Sequence, residues 1–160
     1  MKRALILLGL LFISCENIEK DGPIQDWQVE PIELTADQIV FSNEMLQIIN
    51  EHRMSIGLNT LIKEPGLPTY LAVYHCNYMI DRGVISHDGF ADRARILKDW
   101  GAVAVAENVG FGYDSPEEVV NAWLESPEHR DVIDGNYTVA GIGIREDSFG
   151  TNWITLILLR

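Results

Sequence analysis

Two histidines and one glutamate stand out in this sequence as side chains able to do chemistry together: His87, Glu107 and His129. Two imidazoles and a carboxylate are the usual ligand set of an open zinc site, which keeps a further position for water or substrate. In that chemistry zinc or another divalent cation would be the cofactor. Their separations, about twenty residues each, match no local metal motif such as His-Glu-x-x-His, so spacing alone does not bring them together. Each also has an ordinary structural role open to it. His87 precedes an Asp-Gly turn, where a ring nitrogen can bond nearby backbone. Glu107 and Asn108 can order their own loop. His129 can pack in the first turn of a short helix, its charge offset by Glu125, Glu128 and Asp131.

The remaining polar candidates read as structural. Arg53 and Arg130 are placed to tie helix ends to carboxylates or carbonyls, and Arg93 and Arg95 to lie on a solvated face. His52 and His75 are expected to be structural rather than ligands. Ser126 lacks a Gly-x-Ser-x-Gly elbow, and pairing with His129 three residues on reads as helix capping, which excludes a serine hydrolase.

Something must position these residues, and 160 residues allow one domain with a real core. The net charge is −12; the first fifteen residues hold Lys2 and Arg3 and no acid, so without them it is −14. Such a surface disfavours nucleic acid and other polyanions as partners. Lys2 and Arg3 precede a run of about eleven apolar or small residues, Ala4 to Ser14. That is the core of a signal peptide, too short for a permanent membrane span. It ends Phe12-Ile13-Ser14-Cys15, which resembles a bacterial lipobox, with Phe12 where Leu is usual. The expectation is a lipoprotein signal over 1–15 with Cys15 lipidated, an exported chain held in the cell envelope by its anchor, and a tether over 16–34. With Cys15 so used, Cys76 has no disulfide partner and reads as a small buried hydrophobe.

From Thr35 the sequence becomes periodic. Thr35-Ala36-Asp37-Gln38 fits a capping box, and Ile39, Met45, Ile48, Ile49 and Met54 follow at helical spacing, with Gly57 placed to stop the helix. A second helix is expected from about Thr69 to Arg82, with Leu71, Tyr74, His75, Tyr78 and Met79 on one face. A third covers about Phe90 to Trp100. A fourth starts at Ser115-Pro116-Glu117-Glu118, and Ser126-Pro127-Glu128 restarts a short one through Ile133. Strands come late: Val139 to Arg145 and Asn152 to Leu159 around a turn at Asp147–Gly150, with Ala102 to Ala106 a third candidate. Helices first and a terminal hairpin last predict an α+β layered domain.

Four segments in this order are similar to the CAP superfamily, the cysteine-rich secretory, antigen 5 and pathogenesis-related (SCP-like) proteins, in its bacterial branch. Asn50-Glu51-His52-Arg53 before Gly57-Leu58 resembles the family's Asn-x-x-Arg helix end, and Ser86-His87 its Ser-His. Ala106-Glu107-Asn108-Val109 resembles Gly-Glu-Asn, with Ala in place of Gly. Trp123-Leu124-Glu125-Ser126-Pro127-Glu128-His129-Arg130 resembles the bacterial Trp-x-x-Ser-Pro-Gly-His-Arg, with Glu128 in place of Gly. The resemblance implies a three-layer α-β-α sandwich over 35–160, with a small, mainly antiparallel sheet. It also implies that His87, Glu107 and the region after Trp123 line one cleft; Asn108 and Trp123 themselves are expected to be structural. The eukaryotic relatives have a second Glu where this chain has Ser126, and a later Gly-His segment absent here. Glu125 is the nearest substitute but points another way on a helix.

Three functions remain open at this point. The first is a binding module whose cleft of His87, Glu107, His129, Glu125 and Ser126 holds a divalent cation or a small envelope ligand. The second is a zinc-dependent hydrolase on peptides or cell-wall material, with Glu107 or a zinc-bound water as base. The third is a structural or interaction module whose motif residues are internal struts.

Overall fold

The computed structural model describes residues 34–160; the signal, Cys15 and nearly all of the tether lie outside the described residues. In chain order the elements are α1 (Ala36–Ser55), β1 (Ile62–Lys63), α2 (Leu67–Arg82), α3 (Phe90–Asp99), β2 (Val105–Phe111), α4 (Pro116–Glu125), α5 (Pro127–Ile133), β3 (Val139–Glu146) and β4 (Asn152–Leu159). The sheet runs β1-β3-β4-β2, with β1 parallel to β3 and the other pairs antiparallel.

Strand alternation sorts the core into two faces. Ile154, Leu156 and Leu158 of β4, with Ala140, Ile142 and Ile144 of β3, pack against Met45 and Ile49 of α1, Val119, Val120 and Trp123 of α4, and Ile133 of α5. On the other face, Ile157 and Leu159 meet Leu67, Leu71 and Ala72 of α2 and Leu97 of α3, while Trp153 and Val109 meet Cys76 and Met79. A sheet buried on both sides between helices is the three-layer sandwich that the resemblance implies. Helix α2 comes unusually close because Gly141 and Gly143 face it: a Cβ on Gly143 would collide with the Ala72 carbonyl carbon and the Val73 nitrogen.

Local signals act where expected. Thr35 and Gln38 close the capping box on α1 with bonds of 3.2 and 3.0 Å, and Ser115 caps α4. Asp147 organises the β3–β4 turn, its Oδ1 accepting from the N–H groups of Phe149 and Thr151 and its Oδ2 from the Trp153 indole.

Several expectations are corrected. The third strand begins at Val105, not Ala102, and runs on to Phe111, because its partner β4 is long enough to pair it throughout. A fourth strand, β1, is only two residues long and leaves no period to read. The buried stripe of α1 is Ser42, Met45, Ile49 and Arg53, while Ile39 and Met54 face outward. Tyr74 is exposed too, since α2 buries the Leu71–Ala72–His75–Cys76–Met79 side. Ser126 sits at the N-cap of α5 but makes no capping bond there.

Candidate functional site

The site is built where the loop after α2 returns to the sheet. His75 lies fully buried in α2, and its Nε2–H donates to the Ser86 carbonyl at 2.7 Å. A carbonyl only accepts, which fixes the proton on Nε2 and leaves Nδ1 buried without a partner. This bond pins the loop so that the next residue, His87, reaches β2. There the His87 Nδ1–H donates to Glu107 Oε1 at 2.9 Å. The His87 side chain is 52% exposed and that of Glu107 only 1%.

A buried carboxylate needs a cation, and α3 supplies one. Arg93 donates from Nε to Glu107 Oε2 and from Nη2 to Oε1, each at 2.8 Å, and from Nη1 to the Asp88 carbonyl, also at 2.8 Å. Gly89 makes room for it: a Cβ there would stand 3.3 Å from Arg93 Nη1, and its φ of +72° disfavours any side chain. Burial pushes the Glu107 carboxyl up, yet the hydrogen bonds from His87 and Arg93 and the Arg93 charge outweigh it and hold the pKa below the ordinary value. Burial holds the His75 imidazole below its ordinary pKa and so neutral.

Residue 108 points the other way. Asn108 Nδ2 donates to the His129 carbonyl at 3.0 Å, tying α5 to the sheet face opposite Glu107. The His129 ring turns to Ser126, with Nδ1 2.7 Å from its Oγ; Trp123 Nε1 donates to the Val109 carbonyl and Arg130 Nε to that of Leu124. Glu125 is exposed. Arg53, fully enclosed, donates to the carbonyls of Asn59, Ile133, Gly135 and Tyr137, binding the end of α1 to the segment after α5. His52 pairs with Asp134.

Thus His87 and Glu107 meet, and His129 and Ser126 form a separate pair. Sequence reasoning placed Arg93 on a solvated face, and the structure overturns that. The overlooked signal is helical spacing: Arg93 is four residues before Leu97, the other buried residue of α3.

Beside the network, α2 and α3 border a groove of about 340 Å³ whose lining includes Leu71, Tyr74, Asp88, Asp92, Arg93 and Ile96, with Tyr78. Tyr78 donates its hydroxyl to Asp88 at 3.0 Å, and Arg82 lies 5.5 Å from its ring centroid.

Residues 46–158 match the family model for CAP, the cysteine-rich secretory protein family. The chain belongs to the CAP family. The uncharacterized protein YkwD of Bacillus subtilis is 27% identical over 118 residues, which cover 71% of this chain and 45% of YkwD. The chain therefore spans less than half the length of that curated relative. Among solved CAP-type folds, an extracellular SCP-domain protein of Bacillus anthracis superposes with a TM-score of 0.65 at 22% identity, over 80% of this chain and 44% of that one. An outer surface protein of Borrelia burgdorferi gives 0.64 at 22% identity, over 78% and 91%.

The His/Glu ligand set expected of a CAP cleft does not fit the residues present. Both Glu107 oxygens hold other partners, the His129 ring bonds Ser126, and no group of three His, Cys, Asp or Glu side chains among the described residues could hold a metal ion.

Proposed function

We propose that this CAP protein is an exported, lipid-anchored binding protein of the cell envelope. In this reading it takes a small ligand against the exposed edge of His87 and the tyrosine-lined groove between α2 and α3. Export and anchoring rest on Lys2, Arg3, the apolar run and Cys15. They accord with relatives described as extracellular in Bacillus anthracis and outer-surface in Borrelia burgdorferi.

One observation carries the binding reading. Glu107 has committed both oxygens to Arg93 and His87, so what the site still offers is the His87 Nε2 lone pair and the groove. The groove is lined by apolar Leu71 and Ile96, the Tyr74 ring, the carboxylates of Asp88 and Asp92, and Arg93, whose charge Glu107 already meets. That lining suits an amphiphile with an apolar body and a cationic or hydrogen-bond-donating head. A hydrolase is less well supported: a carboxylate held ionised by a guanidinium is a weak base, and Ser126 lies with His129, away from Glu107.

The test compares octyltrimethylammonium with octyl sulfate by calorimetry. The cation should bind and the sulfate should not, and Tyr74→Ala should weaken binding about fivefold, the size of one cation–π contact. Equal heats for both amphiphiles, or none, would contradict the reading. Incorporation of labelled palmitate that vanishes in Cys15→Ser tests the anchor.

A further inference from the structure

We infer that Arg93 is the resident cation of this site, its guanidinium taking the place at Glu107 that a divalent ion would occupy in a His/Glu centre. The Glu107 carboxylate is 1% exposed, and a charge so enclosed is tolerable only with an opposite charge and full hydrogen bonding. Arg93 supplies both. Its fork matches the carboxylate edge to edge, and Nη1 fixes the head on the Asp88 carbonyl. Glu107 Oε1 takes a second bond, from His87 Nδ1, so the oxygens facing α3 and the loop are both engaged.

A metal ion could reach the carboxylate only by displacing the fork, which would leave a guanidinium stranded at 7% exposure. The buried His75 ring lies beside the carboxylate, its Nε2 3.9 Å from Glu107 Oε1. That nitrogen carries the proton given to the Ser86 carbonyl, and the His129 ring bonds Ser126, so neither turns a lone pair to a metal at Glu107. The ion pair thus does the organising work of a metal. It ties α3 to β2, holds the loop through Asp88, and orients His87 as a carboxylate behind a metal-bound histidine would. Arg93 is a positioning residue here, acting on His87 through Glu107, and the arrangement is independent of metal supply.

The experiment is thermal melting of the full chain in excess EDTA and in excess zinc chloride, for the native sequence, Arg93→Met and Arg93→Lys. The native protein should melt at the same temperature in both media. Arg93→Met should melt lower by on the order of 10 °C, the effect of stranding a buried carboxylate in a domain of this size. Zinc should raise its Tm, because Glu107 and His87 are then free to ligate. Arg93→Lys, which keeps the charge but loses the fork, should fall between the two and ignore zinc; it serves if Arg93→Met does not fold. A zinc-raised or EDTA-lowered Tm in the native protein would overturn the inference. So would an Arg93→Met Tm that zinc does not move, which is the behaviour of a simple strut, or an Arg93→Lys Tm that zinc raises.

Discussion

The Arg93 guanidinium grips the Glu107 carboxylate through two parallel hydrogen bonds, Nε to Oε2 and Nη2 to Oε1, each 2.8 Å long and both buried. The two residues come from α3 and β2, fourteen positions apart in sequence, and their contact decides what the polar groups around it can do.

Removing one partner strands the other. Glu107→Ala should destabilise the domain by about 3–5 kcal/mol, measured by urea unfolding at neutral pH. The double substitution Glu107→Leu with Arg93→Met should recover much of that loss, because no buried charge is then left alone.

Stability should fall on acidification in two separable steps. The His75 pKa is lowered in the fold by burial, so its contribution is complete above the ordinary value of 6.5 and is lost as pH falls from there toward the folded value. Glu107 is also lowered, so its contribution is complete above 4.5 and is lost as pH falls through its folded value. Melting curves against pH should show His75→Gln flattening the slope just below 6.5, and Glu107→Gln flattening only the slope below 4.5.

The contact between α2 and the sheet should be intolerant of a single methyl. Gly143→Ala drives a Cβ into the α2 backbone at Ala72 and Val73, which cannot give way as a side-chain tip could. A loss of about 1–3 kcal/mol is expected, read by chemical unfolding, while the far-UV spectrum stays that of the parent.

Much of the fold was legible because its signals are local. The Thr35 capping box, the Ser115-Pro116 start and the β3–β4 hairpin each lie within a few residues of chain. β1 escaped notice because two residues carry no alternation, and its existence depends on β3, whose Ala140 pairs with Lys63. The site was legible in part. His87 and Glu107 do meet, but the third partner is Arg93, whose charge suggested a solvated face while its spacing from Leu97 placed it inward. A long-range ion pair leaves no local pattern, and only the fold shows which charge it joins.

Cys76 should be inert in the folded protein. Its thiol is buried, donates to Thr155 Oγ1 at 3.3 Å, and is pushed up to about 12 by burial. In a Cys15→Ser chain, a disulfide-exchange reagent should label no thiol until the protein is unfolded, and rapid labelling under native conditions would disagree.

That the buried ion pair aims the His87 imidazole at solvent is tested most directly by the ring-nitrogen NMR spectrum of His87 in alkaline buffer. The proton should be on Nδ1, facing Glu107, with Nε2 unprotonated and open. A proton on Nε2, with Nδ1 unprotonated, would show that the carboxylate is not holding the ring as described.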